Sequence, residues 1–121
     1  GDVYKSQGNE SDPATAQTAT GVDGSSAPMA YALGGAVPNP FNPSTAITYD
    51  VPGGGGTVEI VVYDVTGRRV RTLVSGTCPP GTHRTQWDGR DDRGARVSSG
   101  VYFYRMTGGG FHATRKMVLL K

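Results

Sequence analysis

The sequence predicts an all-β fold, a sandwich of about seven antiparallel strands preceded by an extended arm. Apolar residues recur at period two in short segments, and turn signals separate these segments at roughly 8–12 residues. The 121 residues include 19 glycines and 8 prolines, which favour many tight turns. No amphipathic repeat is long enough to predict a helix. A chain of this length forms one domain with an appendage.

The segment 85–106 is the predicted centre of the sandwich. Trp87, the only tryptophan in the chain, ends one strand, and Asp88-Gly89 is a turn dipeptide because glycine accepts a positive φ. The next strand, 101–106, is dense in β-branched and aromatic residues that suit a pleated surface. We expect Trp87 and one face of 101–106 to form the core, and Phe41 to close one end of it.

Residues 1–36 form the predicted arm, because small polar side chains bury too little apolar surface to offset the entropy lost on ordering. Residues 1–50 carry one lysine against five acidic residues, whereas 51–121 carry eleven basic residues against five acidic ones. This charge contrast indicates that the arm docks, for example as an added strand, on its own domain or on a neighbouring chain. The proline-rich stretch 37–44 marks the start of the predicted domain, residues 37–121.

Alternating apolar residues place the next strands. Ile47, Tyr49 and Val51 share one face of the first strand. The strand 57–64 is apolar on both faces, which predicts a central strand that is partly covered on each side. The strand 68–74 has its apolar anchors at Val70 and Leu73, and this three-residue spacing predicts a β-bulge.

The remaining part of the domain is predicted as a loop and further strands. Residues 75–81 form the loop, which two prolines stiffen and in which Cys78 is a plain thiol; the alternative is an intermolecular disulfide. A single cysteine excludes an internal disulfide and a four-cysteine metal site. Residues 83–87 and 111–120 are strands, and the apolar end 117–120 is either buried on both faces or covered by a partner.

No group of residues predicts an enzyme, a cofactor or a metal site. Asp88, Asp91 and Asp92 could bind a hard cation, but interspersed arginines and the short spacing favour turn formation and ion pairing. His83 and His112 lie on different predicted strands without a carboxylate partner, so we expect exposed or edge-strand histidines. Neither a nucleophile elbow nor a phosphate-binding loop is present.

Composition also bears on partners and location. Ten basic residues between Arg68 and Lys116 could follow phosphates, but the aromatic residues beside them are placed in the core, so nucleic-acid binding is not expected. No apolar run approaches the ~20 residues that cross a bilayer. The chain opens at Gly1 without a signal-peptide pattern, so we expect a processed product or a fragment.

Five motifs, in order along residues 38–121, resemble a known family. They are NPFNP (39–43), VYDVTGRRV (62–70), WDG (87–89), SGVYFYR (99–105) and KMVLLK (116–121). Together they resemble the type A C-terminal sorting domain of proteins exported by the bacterial type IX secretion system, and the related immunoglobulin-like domain of flagellar hook-capping proteins. The resemblance implies an Ig-like or fibronectin-like sandwich at the bacterial outer cell surface, without enzymatic activity.

The resemblance also implies a role in secretion, sorting and surface attachment, with the secretion machinery or surface-anchoring proteins as partners. We expect the recognition surface on the last strand and on the strand 100–104, with these residues: Gly100, Tyr102, Tyr104, Lys116 and Lys121. The alternative is a structural subunit of an extracellular filament or surface assembly, in which the arm 1–36 docks on a neighbouring chain.

Overall fold

The computed structural model describes residues 28–121, which form a two-layer sandwich of seven antiparallel strands and confirm the predicted fold class. The strands are β1 (Ala32–Val37), β2 (Thr45–Val51), β3 (Gly56–Tyr63), β4 (Arg69–Cys78), β5 (Gly81–Trp87), β6 (Gly100–Gly108) and β7 (Phe111–Leu119). Within this part of the chain, no helix is both long and apolar enough to traverse a bilayer.

The strands divide into a three-stranded sheet in the order β1-β2-β5 and a four-stranded sheet in the order β4-β3-β6-β7. β3 therefore lies in the interior of its sheet, as its two apolar faces predict. Its inner residues Val58, Ile60 and Val62 are fully buried, and Val61 on the outer face is only 1% exposed. Burial on both faces explains why this strand reads as a nearly continuous apolar run.

The core lies between the two sheets and is centred on Trp87, which is completely buried. Its ring packs at a tilt on Phe41, with 5.6 Å between centroids, and edge-on to Tyr102 at 5.2 Å. Both distances and both tilts are typical of favourable aromatic pairs. Tyr104 and Met106, the next inward residues of β6, are also fully buried. The predicted centre, formed by Trp87 and one face of 101–106, is thus present.

The first strand of the sandwich comes from residues that the sequence places in the arm. β1 pairs antiparallel with β2, with Leu33 opposite Tyr49 and Ala36 opposite Ile47. Leu33 and Ala36 are buried, so two apolar side chains of this glycine-containing strand contribute to the core. Residues 32–37 dock on their own domain, while residues 1–27 of the predicted arm lie outside the described residues.

The predicted loop 75–81 is wrong over most of its length, because β4 continues to Cys78 and only Pro79 and Pro80 separate it from β5. Residues 75–78 pair with residues 56–59 of β3, and this pairing outweighs the low strand propensity of serine and glycine. Cys78 is therefore the last residue of a strand, half-buried and unpaired. The bulge predicted in β4 is confirmed, since the register shifts at Leu73 and again at Val70.

Candidate recognition site

The NPFNP motif and the KMVLLK motif meet at one end of the sandwich. The backbone N–H of Phe41 donates to the carbonyl of Val118 at 2.9 Å, and the N–H of Leu120 donates to the carbonyl of Phe41 at 2.9 Å. These bonds form a short parallel bridge between Phe41 and Leu119. The segment 39–41 therefore covers the outer edge of β7, which would otherwise be an open sheet edge.

The side chain of Asn39 extends this bridge by one step. Its Oδ1 accepts from the N–H of Val118 at 2.9 Å, and its Nδ2 donates to the carbonyl of Lys116 at 3.3 Å. One amide side chain thus replaces the paired donor and acceptor of a strand residue. We call residues 39–41 the clamp, and the end of the sandwich formed by residues 37–45, 63–69, 87–100 and 116–121 the clamp end.

The WDG motif packs against the clamp and the residues next to it. Trp87 packs on Phe41, and its Nε1–H donates to the carbonyl of Arg90 at 2.8 Å. Gly89 is buried at a φ of 76°, and a Cβ there would lie 3.3 Å from the carbonyl oxygen of Pro43 and 3.5 Å from Leu119. A glycine is therefore needed at this position both for its positive φ and for the close approach of Pro43.

The loop that follows Trp87 covers part of the β4 edge. The N–H of Asp92 donates to the carbonyl of Val70 at 3.0 Å, and Asp92 Oδ1 accepts from the N–H of Thr72 at 3.0 Å. These two bonds continue the ladder on the free side of β4. Both outer strands of the four-stranded sheet are therefore partly covered at the clamp end, β4 by the loop and β7 by the clamp.

The aspartates of this loop are turn and ion-pair residues, as the sequence favours. Asp91 Oδ1 accepts from the N–H groups of Arg93 and Ala95 at 2.9 and 3.0 Å. Asp88 lies 3.7 Å from Arg71 and 3.8 Å from Arg90. Residues 28–121 contain no group of three or more His, Cys, Asp or Glu side chains arranged to hold a metal ion.

The two histidines lie on strands of different sheets. His83 stacks on Tyr49 at 5.4 Å, and its Nε2 lies 2.7 Å from the carbonyl oxygen of Pro79. The pKa of Tyr49 is raised, mainly because its side chain is buried and to a lesser extent because of the neighbouring Cys78 thiol. His112 is exposed on the edge strand β7.

The residues predicted to form the recognition surface separate into two groups. Lys116 and Lys121 are exposed, and Gly100, opposite Leu119 in the β6–β7 ladder, is half-buried. Tyr102 and Tyr104 are 6% and 0% exposed and point into the core, because inward positions of β6 alternate with outward ones. Their side chains are therefore not available to a partner, and assigning them to that surface needs correction.

Both buried tyrosines have a structural role instead. The hydroxyl of Tyr102 donates to the carbonyl of Ser98 at 2.7 Å, and that of Tyr104 donates to the carbonyl of Gly34 at 2.8 Å. Burial raises the pKa of Tyr104 to about 12. Arg115 makes a second bond to β1, with its Nε donating to the carbonyl of Leu33 at 2.7 Å. Tyr104 and Arg115 thus connect the four-stranded sheet to the first strand of the other sheet.

The turn in the motif VYDVTGRRV is also part of the clamp end. Asp64 Oδ1 accepts from the Thr66 hydroxyl at 2.6 Å and from the N–H groups of Thr66 and Arg68. The hydroxyl bond is the main cause of the lowered pKa of Asp64, and the two backbone bonds add to it. This side-chain cap keeps the β3–β4 turn tight and places Arg68 and Arg69 next to the loop after Trp87.

A small cavity opens beside the clamp. Its volume is about 260 Å³, and its lining includes Pro43, Gly89 and Leu119 with the charged groups of Asp88, Arg96 and Lys121. All five motifs that carry the family resemblance therefore contribute residues to the clamp end. Sequence reasoning identified the motifs but did not identify Asn39, whose amide has no sequence signal beyond its place in NPFNP.

More than half of the chain matches a known protein family. Residues 41–110, which are 70 of the 121 residues, match the FlgD Ig-like domain. The chain belongs to the FlgD Ig-like domain family. This confirms the resemblance to the immunoglobulin-like domain of hook-capping proteins and the predicted fold. A comparison with curated proteins gave no match.

A solved structure contains a region with a similar fold. Dimeric latent PorU from Porphyromonas gingivalis matches 87% of this chain at a TM-score of 0.62 and 20% identity. PorZ, an essential bacterial surface component of the type-IX secretion system of the same organism, matches 71% at a TM-score of 0.49 and 21% identity. The chain spans only about a tenth of either protein, 10% of PorU and 11% of PorZ.

Proposed function

We propose that this chain is a non-enzymatic, extracellular module that directs secretion through a type IX system and attachment at the bacterial surface. Its partners are the secretion machinery or surface-anchoring proteins. The observation that carries the proposal is the clamp, through which Asn39 and Phe41 hold the backbone of residues 116–120. A recognition segment held in this way is presented in one conformation, which lowers the entropy lost on binding.

The exposed groups at the clamp end support recognition of a partner protein. Lys116 and Lys121 project from the held segment, and Leu120 between them is 51% exposed. Basic side chains beside an exposed apolar residue provide both steering and contact area for a partner with acidic groups. The neighbouring cavity, with Arg96 and Lys121 in its lining, adds to the same surface.

The use of the polar side chains supports a non-enzymatic role. Asp64, Asp91 and Asp92 accept hydrogen bonds from backbone N–H groups. His83 is engaged with the carbonyl of Pro79 and with the ring of Tyr49. These groups are committed to holding turns and strand ends, whereas a general base needs a free position next to its substrate.

The test is an export assay in a bacterium that has a type IX secretion system. A reporter is fused ahead of the full chain, and reporter in the cell, on the surface and in the medium is measured. We expect the unmodified fusion to reach the surface or the medium. Lys116→Glu together with Lys121→Glu should retain the reporter inside the cell, because reversal of both charges repels an acidic partner.

The matched control is Arg84→Glu together with Arg105→Glu, which reverses two exposed charges outside the clamp end. Charge reversal tests the surface more specifically than truncation of residues 116–121, because truncation also removes the buried Met117 and Leu119 and so disturbs the core. Thermal melts of both double variants confirm that each is folded. Intracellular retention of the unmodified fusion would refute the export role, and normal export of the lysine variant would refute recognition through these lysines.

A further inference from the structure

A groove lined by arginines lies at the clamp end, between the β3–β4 turn and the loop after Trp87. Its volume is about 520 Å³, and its lining residues are Arg68, Arg69, Val70, Asp91, Asp92 and Arg93. Arg68, Arg69 and Arg93 are all exposed. We call these three side chains and the space between them the arginine groove.

The carboxylates of the groove are already engaged. Asp91 and Asp92 accept from backbone N–H groups at 2.9–3.0 Å. Among residues 28–121, neither Arg69 nor Arg93 has a carboxylate within salt-bridge distance. Arg68 has one contact, at 3.7 Å from Asp64, with a side chain that is 84% exposed, and such a pair contributes little. The groove therefore offers guanidinium groups that can take carboxylates in bidentate geometry.

We propose that the arginine groove binds the acidic N-terminal segment, residues 1–27, of the same chain. That segment carries one lysine and four acidic residues, Asp2, Glu10, Asp12 and Asp23, whereas residues 28–121 carry eleven basic and six acidic residues. Opposite charges on two parts of one chain attract each other without the cost of bimolecular association. The inference rests on the groove and the charges, and is independent of the proposed export role.

The chain that joins most of the acidic residues to the sandwich has a length that matches the distance from residue 28 to the arginine groove. Residue 28 precedes Tyr31, which stacks on Phe111 at 6.0 Å, at the opposite end of the sandwich from the groove. The nine-residue strand β6 implies a distance of roughly 30 Å between the two ends. Asp12 and Asp2 lie 16 and 26 residues before residue 28, and random coils of these lengths have a root-mean-square length of roughly 20–31 Å. Asp23, five residues before residue 28, does not reach the groove, because five extended residues span at most about 18 Å. The effective concentration of the acidic groups at the groove is highest when this length matches the span.

The test uses the full chain with one nitroxide spin label. Cys78→Ser removes the native thiol, Ser11→Cys places the label among the acidic residues, and amide signal loss is measured on the sandwich. Docking should broaden the amides of residues 66–70 and 91–97 most strongly. Residues 53–56 and 108–111, near the point where the segment joins the sandwich, should be affected less. The reverse order, or uniform broadening, would overturn the proposal.

Two sets of variants test the charge pairing. Arg69→Glu with Arg93→Glu should abolish the selective broadening, whereas Arg84→Glu with Arg105→Glu, which reverses two exposed charges elsewhere, should leave it. Neutralising the acidic residues should abolish the selective broadening as well, without any change in the sandwich. The substitutions are Asp2→Asn, Glu10→Gln, Asp12→Asn and Asp23→Asn.

Salt and mixing experiments complete the test. Selective broadening should fall several-fold in 0.5 M NaCl, because exposed charges are screened within a few ångströms at that ionic strength. Broadening that persists in every variant and in salt would overturn the proposal. A mixture of spin-labelled chain and unlabelled, isotope-enriched chain should show no broadening of the enriched chain. Broadening there would show that the segment binds a second copy and would overturn binding within one chain.

Discussion

Replacement of Asn39 by alanine is the most direct test of the clamp. The change removes an acceptor 2.9 Å from the N–H of Val118 and a donor 3.3 Å from the carbonyl of Lys116. A typical hydrogen bond contributes about 0.5–1.5 kcal/mol net. Both bonds are exposed and one is long, so we expect the free energy of unfolding to fall by about 1–2 kcal/mol. The equilibrium constant for local opening at the end of β7 should rise by a factor of about 5–30.

The assay combines chemical denaturation with amide hydrogen exchange. Denaturation measures the global loss, and exchange of the Val118 and Leu120 amides measures local opening. Asn42→Ala is the matched control, because Asn42 is also exposed and also precedes a proline but makes no side-chain hydrogen bond to β7 in the described structure. We expect little change in that variant. Equal effects of the two alanine substitutions would show that the Asn39 amide does not hold β7.

Three further predictions follow from the core and the turns. Trp87→Ala should lower the free energy of unfolding by about 3–5 kcal/mol because it empties the centre of the core, and an unchanged denaturation midpoint would place the core elsewhere. Gly89→Ala should destabilise by about 1–2 kcal/mol, since a φ of 76° is strained for alanine and its Cβ would crowd Pro43; a thermal melt that matches wild type would contradict this. Tyr104→Phe should cost about 1 kcal/mol at neutral pH through loss of the bond to Gly34. Burial favours the neutral form of Tyr104 in the folded state, with a pKa of about 12, so the free energy of unfolding of wild type should fall by about 2–3 kcal/mol between pH ~10 and 12, where the unfolded tyrosine ionises first. The Phe variant should lack that loss in a pH series of denaturation curves, and identical pH profiles would refute the assignment.

Local pattern predicted most of the strands correctly. Ile47, Tyr49 and Val51 alternate in the sequence and are all buried on β2. The three-residue spacing of Val70 and Leu73 predicted a bulge, and the register shifts at both residues. These predictions succeed because side-chain alternation and bulges are properties of a strand and its immediate neighbour.

Features that depend on distant residues were not predictable in the same way. Residues 32–37 read as a polar arm because only Leu33 and Ala36 carry the burial that joins them to β2. The extension of β4 to Cys78 depends on β3, which supplies hydrogen-bond partners to serine and glycine residues that seldom form strands alone. Tyr102 and Tyr104 were assigned both to the core and to a recognition surface, and the packing of the two sheets decides for the core, where both are buried.

The sequence by itself determined the class of fold, the central place of Trp87 and the family, because period-two alternation, turn residues and short motifs are local signals. Only the tertiary structure decided that the clamp, the turn at Gly89 and the end of β7 form one surface. The Asn39 amide reaches backbone groups 77 and 79 residues away, and nothing in the local sequence encodes that distance. The closing of the two sheets around Trp87 brings these partners together and leaves the charged groups of Lys116 and Lys121 outside.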